Sequence, residues 1–349
     1  MLGLFISLAW LLFAPEEAEL LFVGDAMMHQ SQIDAARQPD GTYAYDACFD
    51  SVRQWISGAD YAVVNLETPL GGAPYSGYPM FCAPDSYAEA LRDAGFDLAL
   101  TANNHCLDRR DRGVRRTIAA LDSLGLPHIG TYADPSLRDS LALNIADVNG
   151  FRIGFLNYTY GTNGISHGPG VAVDPIDIDL IRSDIGRARS KGAEIVTVCL
   201  HWGVEYRLLP EKSQRLTARL IHEVGADMVI GSHPHVIQPA EMATDSAGRR
   251  HLTAYSLGNF ISGMRTTDTR GGGALTVRLR RDSLGHPYIA GAESHLLFTI
   301  SPARRGDTFR VVRADSIIRG DAEAEARRKA FVERAVPLLR RHNKNVTAP

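Results

Sequence analysis

Short apolar runs alternate with amphipathic segments of helical period through most of this chain, and that alternation limits its fold more than any other feature. The strand-like runs are Glu19–Gly24, Tyr61–Asn65, Leu98–Thr101, Phe151–Asn157, Ile195–Leu200 and Met228–Ile230. Between them, Tyr87–Ala94, Val114–Leu124, Ile178–Arg189 and Ser213–Val224 place apolar side chains at helical spacing. Strand, helix, strand in alternation predicts a largely parallel sheet covered by helices. The C-terminal part reads differently. His251–Leu257, Ala274–Arg281, Tyr288–Phe298 and Phe309–Ile317 look like four strands joined by turns such as Asp282-Ser283-Leu284-Gly285. Thr276–Arg280 alternates apolar and polar residues, as a half-exposed strand does. These runs predict a second, mixed or antiparallel sheet, followed by a charged surface helix over Ala322–Arg341. At 349 residues the chain is long for one domain, yet large two-sheet α/β folds reach this size. No Pro/Ser-rich linker or internal repeat divides it. The expected organisation is one two-sheet domain over 19–320, with a charged helix and tail over 321–349.

Five of the strand-like runs end in residues that bind metals. They read Phe22-Val23-Gly24-Asp25, Val64-Asn65-Leu66-Glu67, Ala102-Asn103-Asn104-His105, Leu200-His201-Trp202-Gly203 and Gly231-Ser232-His233-Pro234-His235. In open α/β sheets, ligands bind in the crevice beyond the carboxyl ends of the strands. Five such ends in one crevice would collect two carboxylates, an amide and up to four imidazoles. Oxygen and imidazole donors without thiolates suit Mn²⁺, Fe or Zn²⁺. Two such ions, about 3.5–4 Å apart, activate water and polarise a phosphoryl or acyl oxygen. Each element also has a plainer reading. An Asp after a strand is often a helix cap, Glu67-Thr68-Pro69 can simply open a turn, and His201 can be a core residue beside a packed Trp202. Ser232-His233-Pro234-His235 is the hardest to explain by packing, and the ordered set of five outweighs its parts.

Composition excludes other classes. The formal net charge of −3 implies no basic face, so nucleic acid is not an expected partner. Cys48, Cys82, Cys106 and Cys199 lack CxxC spacing, which argues against a thiolate zinc site. In an exported chain Cys48 and Cys82 are candidates for a disulfide, whereas Cys199 lies in an apolar run and reads as a buried thiol. Residues 1–18 carry an apolar run of signal-peptide length, shorter than a comfortable membrane span. They read as a secretory signal or N-terminal anchor. The lack of Lys or Arg before the run leaves a short core strand as the alternative.

The segments Phe22–His29, Val64–Leu70, Ala94–Asp108, Leu124–Gly130, Leu200–Tyr206, Gly231–Pro239 and Tyr255–Phe260, in that order, resemble the CapA family. These are poly-γ-glutamate capsule biosynthesis proteins of the calcineurin-like metallophosphoesterase superfamily. The resemblance runs from about Leu20 to about Gly263 and implies a four-layer αββα sandwich of two mixed β-sheets. It also implies roles. Asp25 would bind a first metal ion, Glu67 would bridge, Asn104, His201 and His233 would bind a second ion, and His235 would return to the first. His105 would face the substrate as general acid or oxyanion stabiliser. His29, Asn103, Glu205 and Asn259 would support the ligands or touch substrate. The superfamily's first motif has His two residues after the Asp; here Met27 stands there, which weakens the first metal position.

The resemblance implies an exported envelope protein, periplasmic, extracellular or membrane-anchored. As a metal-dependent hydrolase it would act on a phosphoester or γ-glutamyl amide, alongside membrane-bound capsule synthesis proteins. The alternative is a non-catalytic factor that assembles or exports an anionic polymer, with a bound ion serving as fixed charge.

Overall fold

The computed structural model describes residues 17–304 and 306–349. The apolar leader therefore lies outside the described residues, apart from Glu17 and Ala18, which already belong to the first strand. Along the chain come β1 (Glu17–Ala26), α1 (Gln30–Ala36), α2 (Asp50–Ile56), β2 (Tyr61–Leu66), α3 (Asp85–Ala94), β3 (Leu98–Leu100) and α4 (Arg110–Leu124). Next are β4 (His128–Ile129), β5 (Thr131–Tyr132), α5 (Arg138–Leu141), β6 (Asn144–Val148), β7 (Phe151–Thr159), β8 (Ala172–Val173), α6 (Ile178–Ser190) and β9 (Ile195–His201). Then follow α7 (Lys212–Glu223), β10 (Met228–Ser232), β11 (Ala240–Thr244), β12 (Arg250–Ala254) and β13 (Asn259–Ile261). The chain ends in β14 (Gly271–Arg281), β15 (Pro287–Ile300), β16 (Arg310–Arg313) and α8 (Ala322–His342).

Two mixed sheets stack face to face. The first has the order β16-β15-β14-β1-β2-β3-β4, with β13 also pairing β1. The second has the order β11-β12-β10-β9-β7-β6. Alternation along β1 shows how the layers form, since successive side chains of a strand point to opposite faces. Leu20 and Phe22 point inward, into a core shared with Phe151, Phe155, Ile195, Met228 and Leu252 of the second sheet. Leu21 and Val23 point outward, against Val52 and Ile56 of α2, Tyr87 and Leu91 of α3 and Leu121 of α4. On the far side, Val196, Val198 and Leu200 of β9 face Ile181 and Ile185 of α6 and Ala218 and Ile221 of α7. The result is the expected four-layer αββα sandwich.

The four helices expected from periodicity are present, each within a few residues of its expected ends. The division of strands between sheets differs from expectation. The six early runs do not share one sheet: β1, β2 and β3 lie in the first, and β7, β9 and β10 in the second. Of the C-terminal runs, β12 joins the second sheet by parallel pairing with β10, while β14 lies antiparallel on the free edge of β1. Those pairings join residues far apart in sequence, so local patterning does not encode them. Helix α8 buries Phe331, Ala335 and Leu339 against Leu296 and Phe298 of β15. The residues after it bridge to both sheets, at Glu241–Lys344 and Glu293–Thr347. All four cysteines are free and buried, so Cys48 and Cys82 form no disulfide. Cys82 instead donates to the Gly72 carbonyl, and Cys48 lies 3.4 Å from the Thr308 hydroxyl.

Candidate metal centre

The site lies where the carboxyl ends of both sheets meet. Asp25 sits opposite Asn65 and Asn259 in the first sheet, and His201 ends β9 opposite Ser232 in the second. Close approach of backbones makes this possible. A Cβ on Gly24 would stand 1.8 Å from the Gly258 carbonyl oxygen, and one on Gly231 would stand 2.1 Å from that of Tyr255. Just beyond β10, His233 and His235 both hold left-handed backbone conformations (φ of 101° and 58°), which costs a non-glycine residue about 1–3 kcal/mol. Tyr206 shares that conformation and ties its loop down by donating its N–H to the Pro234 carbonyl at 2.8 Å. Strain of this kind persists where surrounding structure holds side chains in a needed position.

Six residues expected as ligands converge here. Asn65 crosses between the sheets, donating to Asp25 Oδ1 at 2.8 Å and lying 3.3 Å from His201 Nδ1. His201 Nε2 lies 2.8 Å from Asn104 Oδ1 and 3.4 Å from Glu67 Oε1. His235 Nδ1 is 3.1 Å from both Asp25 Oδ2 and Asn259 Oδ1, and its Nε2 is 3.8 Å from Glu67 Oε1. Three groupings present ligand atoms within 4.8 Å of one another: Glu67 with His201 and His233, Asp25 with Glu67 and His235, and Glu205 with His233 and His235. Both carboxylate oxygens of Glu67 and Nδ1 of His233 are buried without a hydrogen-bond partner among the described residues. A buried carboxylate left so is costly unless a cation meets it. The donor set therefore fits one or two divalent ions of the kind that take oxygen and imidazole ligands.

The protonation states suit the same conclusion. Burial lowers His201 to about 3 and His233 to about 2, so both are neutral and free to coordinate. Burial and the nearby Asp25 charge hold Glu67 well above the usual carboxylate range. Burial would raise Asp25, but the hydrogen bond and charge of His235 outweigh it and hold it at about 2. His235 is the reverse case: burial would lower it, yet Glu67 and Asp25 keep it at about 9.

His105 stands beside this cluster, on the turn after β3. Its Nδ1 is 2.8 Å from Asp108 Oδ2, which also accepts the Phe81 N–H at 2.7 Å. The Phe81 ring meets His105 edge-on at 4.5 Å between centroids. Asn103 is fully buried and pins this turn, donating to the Leu66 carbonyl at 2.9 Å. Asn259 donates to the Thr269 carbonyl at 2.9 Å and so fixes the oxygen facing His235. His29 is in none of the three groupings; it opens α1, and its Nδ1 accepts the Gly263 N–H at 3.1 Å. Met27 is buried, with its N–H on the Ile261 carbonyl. Motif reading left Asn65 and Asp108 without a role, along with Asn163, whose amide nitrogen lies 3.5 Å from His105 Nδ1. Tyr160 and Tyr206, half exposed over His233 and His235, were also missed as walls of the mouth. Asp108 had a signal, since a carboxylate three residues after a histidine can reach it across one turn; Asn163 had none.

The fold recurs in solved structures. An NAD nucleotidase from Haemophilus influenzae superposes with a TM-score of 0.51 at 13% identity, covering 91% of this chain and 62% of that one. A putative 5′-nucleotidase from Staphylococcus aureus gives 0.51 and 13%, covering 92% and 59%. At such identities the likeness speaks to the metallophosphoesterase-type fold alone. Among curated relatives, the capsule biosynthesis protein CapA of Bacillus anthracis is 28% identical over 279 residues, 76% of this chain and 64% of that protein. The PGA biosynthesis protein CapA of Bacillus subtilis is 29% identical over 285 residues, 78% and 71%. The chain thus spans somewhat under two thirds of the first of these. The family model described as bacterial capsule synthesis protein PGA_cap matches residues 19–264, which cover the whole site from Asp25 to Asn259. The chain belongs to the PGA_cap family of bacterial capsule synthesis proteins.

Proposed function

We propose that this protein is a metal-dependent hydrolase of the cell envelope that acts on a γ-glutamyl amide or a phosphoester during formation of a poly-γ-glutamate capsule. The observation that carries the reading is Glu67: a fully buried carboxylate with no hydrogen-bond partner among the described residues, set among Asp25, His201, His233 and His235. Asp25, Glu67, Asn104, His201, His233 and His235 would hold one or two divalent ions, with Mn, Fe or Zn the best matches to this donor set. Bound there, such ions supply Lewis-acid activation of water and of a phosphoryl or carbonyl oxygen. The chain's own residues do the rest. Asp108 accepts from His105 Nδ1, which leaves Nε2 as the atom that donates a proton to the leaving group. Phe81 packs edge-on against that ring and limits its rotation. Tyr160 and Tyr206 wall the mouth and limit water around the bound substrate.

The relatives' printed functions support the capsule assignment, and so does the apolar leader for export. Among the described residues, no helix is long and apolar enough to cross a membrane. Membrane-bound capsule synthesis proteins are the proposed partners. The first test is elemental analysis of the purified protein beside His233→Ala. About one to two equivalents of Mn, Fe or Zn, lost in the variant, are expected, followed by release of glutamate or phosphate from poly-γ-glutamate or phosphoester substrates. A protein that takes up no metal even after reconstitution sinks the hydrolase reading. Met27 favours a second reading, because a thioether where the superfamily has imidazole weakens the first metal position. In that case the protein is an assembly or export factor for the anionic polymer. Capsule formation that survives Asp25→Asn and His233→Ala would support it.

A further inference from the structure

Beside the metal centre lies an open cavity of about 1060 Å³, walled by α1, the segment before β14, the loop after β15 and the start of α8. Arg37, Arg265, Arg270 and Arg327 line it, with Asp34 and Asp307 as acidic counterparts. On a chain of net charge −3 this is a local concentration of positive charge. Arg37 and Arg265 are exposed, and among the described residues neither has a carboxylate partner. Arg270 is half-buried, donating to the Arg265 carbonyl at 2.9 Å. Burial, and then the like charges of Arg327 and Arg265, hold its guanidinium below its usual range. Crowded cations of this kind are relieved when an anion enters.

The cavity is lined by residues that neighbour the supports of the site. Ser31 and Gly263 line it, and the Gly263 N–H is the donor to His29 Nδ1. Arg270 directly follows Thr269, whose carbonyl holds the Asn259 amide against His235. A chain lying over the arginines therefore passes beside the residues that orient the metal centre.

We propose that this basin is the docking track for poly-γ-glutamate, holding a stretch of the polymer beside the metal centre through arginine–carboxylate pairs. The inference rests on the polymer reading given above and adds where the polymer lies. Four guanidinium groups line one basin, more than a single phosphate needs, whereas a flexible chain with one carboxylate per residue can meet each of them. Arginine pairs with carboxylates in a planar, two-pronged geometry and is weakly hydrated, so it suits this contact better than lysine.

The test is fluorescence anisotropy with labelled poly-γ-glutamate of defined length, and inorganic polyphosphate as a parallel probe. The proteins are the metal-loaded wild type, Arg37→Glu/Arg265→Glu, the milder Arg37→Gln/Arg265→Gln, and Arg219→Glu on α7 as a control. Circular dichroism and metal content verify that each variant is folded and loaded. The expected result is wild-type binding that weakens as salt rises, roughly tenfold or more weaker in the charge-reversed pair, intermediate in the glutamine pair and unchanged in the control. Equal binding by wild type and both double variants overturns the basin and leaves the polymer reading standing. Wild-type protein that binds no poly-γ-glutamate overturns both. Binding of polyphosphate in preference to poly-γ-glutamate, lost in the double variants, overturns the choice of occupant.

Discussion

His235 Nδ1 lies 3.1 Å from Asp25 Oδ2, and the carboxylates around that ring hold it at about 9, so at neutral pH it is an imidazolium. Without metal, the protein thus places its own cation where two buried carboxylates meet. A divalent ion bound there would take over that task, and His235 would have to give up its proton to coordinate it. Metal affinity should therefore rise with pH up to about 9, and binding near neutral pH should release about one proton per ion or more. Calorimetric titrations of Mn²⁺ in two buffers of different ionisation enthalpy measure this directly. Uptake with no proton release would show that His235 is not a ligand.

The same groups set how the metal-free fold responds to pH. His201 and His233, at about 3 and about 2, lie below the ordinary 6.5, so their contribution is present above that value and lost as pH falls. His235 lies above it, so its contribution is full below 6.5 and lost as pH rises toward 9. Glu67, also raised, pulls in the same direction as His235, and below 6.5 the two depressed imidazoles outweigh it. The site's contribution to metal-free stability should peak near 6.5. Thermal melts of stripped protein, compared with melts of His235→Gln, isolate it; an alkaline decline of equal size in that variant contradicts the assignment.

Glu67 is buried with neither oxygen hydrogen-bonded among the described residues, so its role should separate cleanly from folding. Glu67→Gln keeps the shape and removes the charge. Metal affinity should drop by a factor of about 100 or more, because the carboxylate faces both His201 and His235. Metal-free stability should hold or rise by about 1 kcal/mol, since an unsatisfied buried acid is lost. A variant that loses metal and also melts well below the wild type would make Glu67 a structural residue instead.

Much of this site was legible because β-strand ends carry it. Asp25, Glu67, Asn104, His201, His233 and His235 each end or closely follow an apolar run, so the rule that ligands gather beyond strand ends pointed to the crevice in which the structure brings them together. The layer order followed from the same alternation. The pairing of β14 with β1 was not legible, because it depends on two segments more than 240 residues apart finding one edge. The His105–Asp108 contact and the reach of Asn163 depend on a turn and on a loop that no periodicity encodes. The arginines of the basin come from the residue after α1, from the segment before β14 and from α8, and only folding brings them together.

Asp108 sets the ring of His105 without belonging to any ligand grouping. Asp108→Asn should lower turnover of whichever γ-glutamyl or phosphoester substrate is active by about 10- to 100-fold, and His105→Ala by about 100-fold or more. Metal content should stay at the wild-type level in both. The alkaline limb of the pH–rate profile, where a general acid loses its proton, should move in Asp108→Asn, which a purely structural role would not cause. If His105→Ala turned over every active substrate at the wild-type rate, the general-acid role would be wrong.

Glu205 is exposed, yet it offers a carboxylate oxygen within reach of His233 and His235. Its position matters because Met27, which the resemblance sets where an imidazole would serve the first metal position, is buried and would be a poor donor. A carboxylate from the loop after β9 would supply an oxygen beside His233 and His235. Glu205→Gln should weaken binding of one ion by about 10- to 100-fold while leaving the other ion and the metal-free melting temperature unchanged. Glu67→Gln, in contrast, should weaken every ion bound. Elemental analysis after dialysis against a weak chelator distinguishes the two patterns. If Glu205→Gln retains as many ions as the wild type, Glu205 is no ligand, the first position stays short of donors, and the balance moves toward a factor that holds polymer without cleaving it.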